Sequence, residues 1–366
     1  MIFLPNNKKR YNKGMDHKRL FASIFVFLSL LAVASTIILL FENHFVLDTF
    51  TDRHWVAVVE FDGGLGNRLF QAAFALGCAR PRPDSSSSPA HAFMFDKIHL
   101  ITHHSKRNYM VELFDRFPTI DDGLVSDSSY RQQIYRENVP SVYVPTYVKS
   151  AQDAPTFGLN QRVCVRYVGY FQCPAYFEHC KDELVSILRP EPDFVRNSLD
   201  RWKVSVPWDR AVFLHVRLGD YVNADKYWDP DSVGEFYDAS LCDLTKASAP
   251  VTVLIFSNGT ESDVRLHFPR ICARIAELGM ELKFADEPDE LVALYAMMRC
   301  GIGGIVPNST FSWWAAYVGW EPGRIYYHFG WKKGLDAFPL RPDRGVILWN
   351  ADDGSTPDLR KCPTAL

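Results

Sequence analysis

The longest apolar stretch of the chain is LFASIFVFLSLLAVASTIILLF, residues 20–41, with no charged position in 22 residues. As a helix it would be about 33 Å long, enough to cross a hydrocarbon core once. Beyond it the pattern shortens and begins to alternate between buried-strand and amphipathic runs. Residues 56–62 (VAVVEFD) predict a buried strand that ends in glycines, and 69–79 (LFQAAFALGCA) predict a helix closed by Pro81. PRPDSSSSP reads as an exposed loop, and 96–161 show no clear period. Regularity returns with a strand over 162–171 and a helix over 174–188, before RPEPD breaks the chain.

The second half repeats a strand-then-helix rhythm. Strands are predicted over 211–216, 251–257, 281–285, 302–306 and 324–329. Between two of them, residues 289–300 place Leu291, Leu294, Tyr295 and Met298 on one helical face, a stripe for packing a crossover helix on a sheet. The implied class is α/β with parallel sheets, divided around 190–207 into domains over 56–200 and 201–366.

Composition narrows the class. With 47% hydrophobic residues, 23% charged residues and a formal net charge of -3 over 366 residues, neither disorder nor a nucleic-acid-binding surface is indicated. The charge is uneven, because Lys8, Lys9, Arg10, Lys13, Lys18 and Arg19 face a single acid, Asp16, before the apolar run. That bias predicts a cytoplasmic tail (1–19), a signal anchor (20–41), a short stem (42–55) and a lumenal body, a single-pass type II arrangement. A cleaved signal peptide is the competing reading, although the run exceeds the usual h-region. All eight cysteines follow the span without zinc-site spacing, so disulfides or buried thiols are expected and no metal is implied. Two sequons begin at Asn258 and Asn308.

Ligands in open α/β sheets sit at the carboxyl ends of strands, and three segments there carry chemistry. The first runs from Asp62 through Gly64, Gly66 and Asn67 to Gln71; its glycines permit close backbone approach, and the following helix start can hold an anion. A dinucleotide fingerprint is disfavoured, since Leu69 stands where a small residue is required. The second is HVRLGDY at 215–221, which delivers His215, Arg217 and Asp220 from a strand end; arginine's fork of donors suits a departing diphosphate. An ion pair of Arg217 with Asp220 and a core role for His215 are the plainer alternatives. The third is PNSTFSWWAA at 307–316, where Asn308, Ser309, Thr310, Phe311 and Ser312 gather at a helix start as candidate phosphate ligands. Trp313 and Trp314 read as packing.

GGLGNRLFQAA, GYFQCPAYF, HVRLGDYV, VLIFSN and PNSTFSWWAAY, in this order, resemble the inverting α-1,2-fucosyltransferase family over roughly residues 56–320. The resemblance implies a GT-B architecture of two Rossmann-like domains facing a cleft, with GDP-fucose held by the C-terminal domain and no divalent metal. It implies donor contacts from His215, Arg217, Ser257, Asn308, Ser309, Thr310, Phe311 and Ser312, with Arg217, Asp220 and His215 catalytic. Gly64, Gly66, Asn67, Gln71 and Gln172 would form the facing, acceptor-side wall. The implied reaction is transfer of fucose to the 2-hydroxyl of a terminal β-galactose in the Golgi membrane. Another fucosyl linkage, including protein O-fucosylation, and a catalytically silent glycan-binding protein are the alternatives. Leu218 and Arg68 depart from the family's usual arginine and glutamine. The general base is left open among Asp220, Asp62 and His215.

Overall fold

The computed structural model describes residues 55–81, 92–96, 109–120, 130–137, 162–202, 205–222, 230–244, 251–287, 289–319, 324–328, 330–332, 335–336 and 345–349. The expected tail, membrane span and nearly all of the stem lie outside them. Among the described residues no helix is long and apolar enough to cross a membrane. All of the described residues belong to one compact unit.

That unit contains two parallel sheets. In the first, β1 (Trp55–Glu60), β2 (Ala92–Asp96), β3 (Tyr130–Arg136) and β4 (Arg162–Val168) pair in the order β2-β1-β4-β3. In the second, β5 (Ala211–Val216), β6 (Thr252–Ser257), β7 (Glu281–Phe284), β8 (Gly303–Val306), β9 (Arg324–His328) and β12 (Gly345–Trp349) pair in the order β12-β9-β8-β5-β6-β7. A short antiparallel pair, β10 (Gly330–Lys332) and β11 (Leu335–Asp336), stands apart. The strands predicted in the second half are present within one residue at each end.

Those strands read clearly because helices cover both faces of the sheet. Phe213 of β5 and Leu254 of β6 enter a core shared with the first sheet, while Val212, Leu214, Val253 and Ile255 enter a second core. The second core is closed by α5 (Pro230–Leu244), α6 (Glu261–His267) and α7 (Pro269–Glu277). The intervening helices of the first half are α1 (Leu65–Cys78), α2 (Tyr109–Glu112), α3 (Lys181–Leu188) and α4 (Asp193–Asp200). α8 (Glu290–Met298) and α9 (Thr310–Val318) complete the second half.

Several expectations are corrected. α1 begins at Leu65, four residues before the predicted 69, so Gly66 and Asn67 belong to its first turn rather than to a loop. The predicted helix over 174–188 is two 3-10 turns, Pro174–Tyr176 and Glu178–Cys180, followed by α3. The stretch around 190–207 carries α4, whose Val195 and Leu199 are buried and which packs on α8. α8 is buried over every position from Leu291 to Met298, not along one stripe, because it lies between α4 and α9 as well as on the sheet side. Asp289 caps it, its Oδ1 accepting from the amides of Leu291 at 3.0 Å and Val292 at 3.3 Å.

The core common to both sheets is joined by aromatics of α1 and α9. Phe70 lies 4.7 Å from Trp313 and 5.0 Å from Trp314, and Phe177 stacks on Trp314 at 5.6 Å. Each such pair is worth about 0.5–1.5 kcal/mol beyond its buried area. The packing role expected for both tryptophans is therefore observed. Of the seven described cysteines five are buried, and Cys362 lies outside the described residues.

Candidate active site at the carboxyl edges of the two sheets

Parallel pairing puts all carboxyl ends of a sheet on one edge, and the motif segments leave from those edges. After β1, Asp62 and Gly63 turn the chain; Gly63 has φ +75°, a left-handed value that glycine adopts without a Cβ penalty. Gly64 then caps α1 without a side-chain bond. An added Cβ on Gly64 would meet nothing within 4 Å, so the surface is open there. Gly66 is the reverse case: its Cβ would fall 2.5 Å from Thr310 Oγ1 and 2.6 Å from the Phe311 amide nitrogen. Only glycine lets the first turn of α1 rest on the first turn of α9.

That contact carries a polar junction. The carboxamide oxygen of Asn67 accepts from Thr310 Oγ1 at 3.1 Å and from Gln172 Nε2 at 2.9 Å. Three motifs far apart in sequence thus meet at one atom. Gln172 arrives on a turn in which Gly169 has φ +158° and Phe171 has φ +49°, a left-handed value rare outside glycine. Glu137, at the end of β3, holds this turn: its Oε2 accepts from the amides of Tyr170 at 2.7 Å and Phe171 at 3.1 Å. Burial pushes the Glu137 carboxyl up, with those two amides opposing. Sequence reading missed Glu137, because its segment shows no period and a lone glutamate carries no motif.

The HVRLGDY segment leaves β5 through Leu218 and Gly219, the latter at φ +63°. Asn258, exposed at the end of β6, accepts from the Leu218 amide at 2.7 Å and fixes the turn. Arg217 is half-buried, its guanidinium 5.1 Å from the Tyr221 ring centroid. The side chain of Asp220 lies outside the described residues. Ser257 is half-buried, and its hydroxyl accepts from the Gly259 amide at 3.0 Å.

Several predicted site residues prove to be internal. Ser312 is fully buried, and its hydroxyl lies 2.8 Å from His215 Nδ1. Ser312, expected among the phosphate ligands, thus gives its hydroxyl to His215 in this structure. His215 is 4% exposed, and burial, reinforced by the nearby Arg217 charge, lowers its pKa to about 3. A neutral imidazole inside the protein supports the β5 and α9 junction; it is not presented on the surface. Asn308 and Ser309 are buried as well, which occludes the Asn308 sequon, while Thr310 and Phe311 are half-buried. Gln71, expected on the facing wall, is fully buried; it accepts from the Asp62 amide at 3.1 Å and donates to the Gly169 carbonyl at 2.7 Å, tying β1 to the strained turn.

The two departures from the family pattern are internal too. Leu218 is buried in the second core. Arg68 is 1% exposed; its Nε donates to the Gly63 carbonyl at 3.2 Å, and its guanidinium lies 5.8 Å from the Tyr109 ring centroid. Burial lowers its pKa, with Glu290 and Asp62 opposing.

No group of three or more His, Cys, Asp or Glu that could hold a metal ion occurs among the described residues. An open hollow of about 760 Å³, lined by Arg189, Glu191, Trp208 and Arg299 among others, contains none of the motif residues. The carboxyl edges, with glycine turns and the loop that carries Arg217, are the better candidate on physical grounds.

Comparison with known proteins agrees with the motif reading. A family model described as glycosyl transferase family 11 matches residues 131–327. The alpha-1,2-colitosyltransferase of Escherichia coli is 21% identical over 319 residues, covering 80% of this chain and 99% of that protein. Among solved structures, a mutant of Arabidopsis thaliana FUT1 in complex with GDP is 14% identical, with a TM-score of 0.42, covering 75% of this chain and 70% of that one. The fucosyltransferase NodZ from Bradyrhizobium is 15% identical, with a TM-score of 0.43, covering 73% of this chain and 93% of that one.

Proposed function

Because the chain belongs to glycosyl transferase family 11, we propose that it transfers L-fucose from GDP-fucose to the 2-hydroxyl of a terminal β-galactose, with inversion and without a divalent metal. The observation that carries this reading is the Asn67 junction, where GGLGN, GYFQ and NSTFS meet through hydrogen bonds at the carboxyl edges of two parallel sheets. The α-1,2 linkage in the relative's name supports the regiochemistry.

In this reading Arg217, carried on the loop after β5, neutralises the diphosphate as the C1–oxygen bond breaks. Thr310 and the first-turn amides of α9, which Ser309 does not cap with its side chain, offer further donors. Asn67 and Gln172, with the open surface at Gly64, form the acceptor side. His215 and Ser312 act from beneath, holding β5 and α9 in register. The GT-B arrangement of two facing domains belongs to the same proposal, as do the N-terminal anchor and the Golgi address.

The test is transfer of label from GDP-fucose to a β-galactoside by the full chain in detergent and EDTA, followed by digestion with an α-1,2-specific fucosidase. Labelled product that the fucosidase releases is the expected result. A resistant product overturns the linkage, loss of transfer in EDTA overturns metal independence, and no transfer overturns the activity. The relative's name makes a colitosyl donor the second substrate to assay.

A further inference from the structure

A proton must leave the acceptor hydroxyl as it attacks, and the motifs do not say which group takes it. We propose that Asp62 is the general base, a catalytic residue, with Tyr170 and Glu137 as its positioning residues; this rests on the reading of the chain as an inverting transferase. Of the three groups in contention, the Asp220 side chain lies outside the described residues, and His215 is buried with Nδ1 engaged by Ser312. Asp62 is exposed, at the carboxyl end of β1 and two residues from the open surface at Gly64.

Its carboxylate is held in place. Oδ1 accepts from the Gly63 amide at 2.7 Å, and Oδ2 accepts from the Tyr170 hydroxyl at 3.3 Å. A carboxylate has about four acceptor positions, so each oxygen keeps room for a substrate hydroxyl. Tyr170 is carried by the strained turn that also delivers Gln172 to Asn67. That turn persists because Glu137 accepts two of its amides and because Phe171 stacks on Phe74 at 4.0 Å. Glu137 is otherwise an expensive group: its Oε1 is buried with no hydrogen-bond partner among the described residues. A half-buried glutamate whose Oε2 is committed to a left-handed turn is understandable if the turn must hold Tyr170 against Asp62.

In the step itself, the bond from fucose C1 to the β-phosphate oxygen breaks, and its electron pair leaves with GDP. The acceptor oxygen bonds C1 from the opposite face, and its proton passes to an Asp62 oxygen and then to water. Hydrogen-bond reach of the acceptor hydroxyl is the geometric requirement.

The experiment is steady-state transfer by the full chain and its Asp62→Asn, Tyr170→Phe and double variants, with GDP binding measured calorimetrically. Asp62→Asn should lower kcat at least about 100-fold and leave donor KM and GDP affinity within about twofold. Tyr170→Phe should lower kcat about fivefold with unchanged melting, and should add nothing once Asp62 is replaced. Retention of kcat within about threefold in Asp62→Asn, or additive losses in the double variant, overturns the assignment. If Asp62→Asn does not fold, an unchanged kcat in Tyr170→Phe overturns it. A native enzyme that transfers no fucose overturns the functional reading, and this assignment with it.

Discussion

The first turns of α1 and α9 are built from the same plan and used differently. Both follow a parallel strand, both begin without a side-chain cap, and they touch at Gly66 and Thr310. At α1 Gly64 leaves the surface open, and the polar groups near it, Asp62 and Asn67, are exposed or half-buried. At α9 the hydroxyls are numerous but mostly internal, with Ser312 given to His215 and Ser309 buried. A cluster of hydroxyls therefore marks a site less reliably than a glycine with empty space before it. In the proposed reading the loop after β5 adds the half-buried Arg217 to the few exposed groups of the α9 start.

The largest expected effect breaks that division of labour. Arg217→Ala should lower kcat at least about 100-fold in fucosyl transfer, the range for removing one donor aimed at developing charge. Near-native turnover would show that the α9 start suffices for the diphosphate. Next is the contact itself: Gly66→Ala should destabilise the fold by roughly 2 kcal/mol in urea unfolding, because the new methyl meets Thr310 and the Phe311 amide. Alanine's better helix propensity, worth about 1 kcal/mol, works in the opposite sense, so a stabilised variant would refute the close approach.

Ser312→Ala sharpens the comparison from the other side. Leaving His215 Nδ1 unpaired should cost about 1.5 kcal/mol of stability while donor KM stays unchanged. A KM rise of tenfold without loss of stability would return Ser312 to the phosphate. The His215 environment also gives a pH signature. Its pKa is lowered on folding, to about 3 from 6.5, so the unfolded chain binds the extra proton first. The stability contribution is complete above about pH 6.5 and is lost as pH falls towards 3, with a slope of at most about 1.4 kcal/mol per pH unit. His215→Gln should flatten that limb in urea titrations at stepped pH. The smallest effect is expected at Gly64→Ala, about 0.5 kcal/mol, since only cap preference changes where space is free.

Legibility followed burial. Five of the six strands of the second sheet were readable nearly to the residue, most clearly β5 and β6, which are buried from both faces, whereas β12 was not predicted. The start of α1 was misread because glycines normally mark a turn, whereas Gly66 is there to let another helix approach. α4 was hidden between prolines and charges, its apolar face made of only Phe194, Val195 and Leu199. Glu137 carried no local signal at all, since its partners lie 33 and 34 positions away.

The sequence by itself determined the parallel α/β class, the order of the motif segments and the family, because apolar periodicity and long unusual motifs are local properties of the chain. Only the tertiary structure decided which motif residues face outward. Ser312, Gln71 and His215 are polar in the sequence and interior in the fold, each matched by a partner that only folding brings within hydrogen-bond distance. Asp62 and Tyr170 meet for the same reason: β1 and β4 are neighbours in a sheet although 108 positions separate the two residues. Hydrogen bonds over such separations depend on topology, and topology is a property of the whole packed chain.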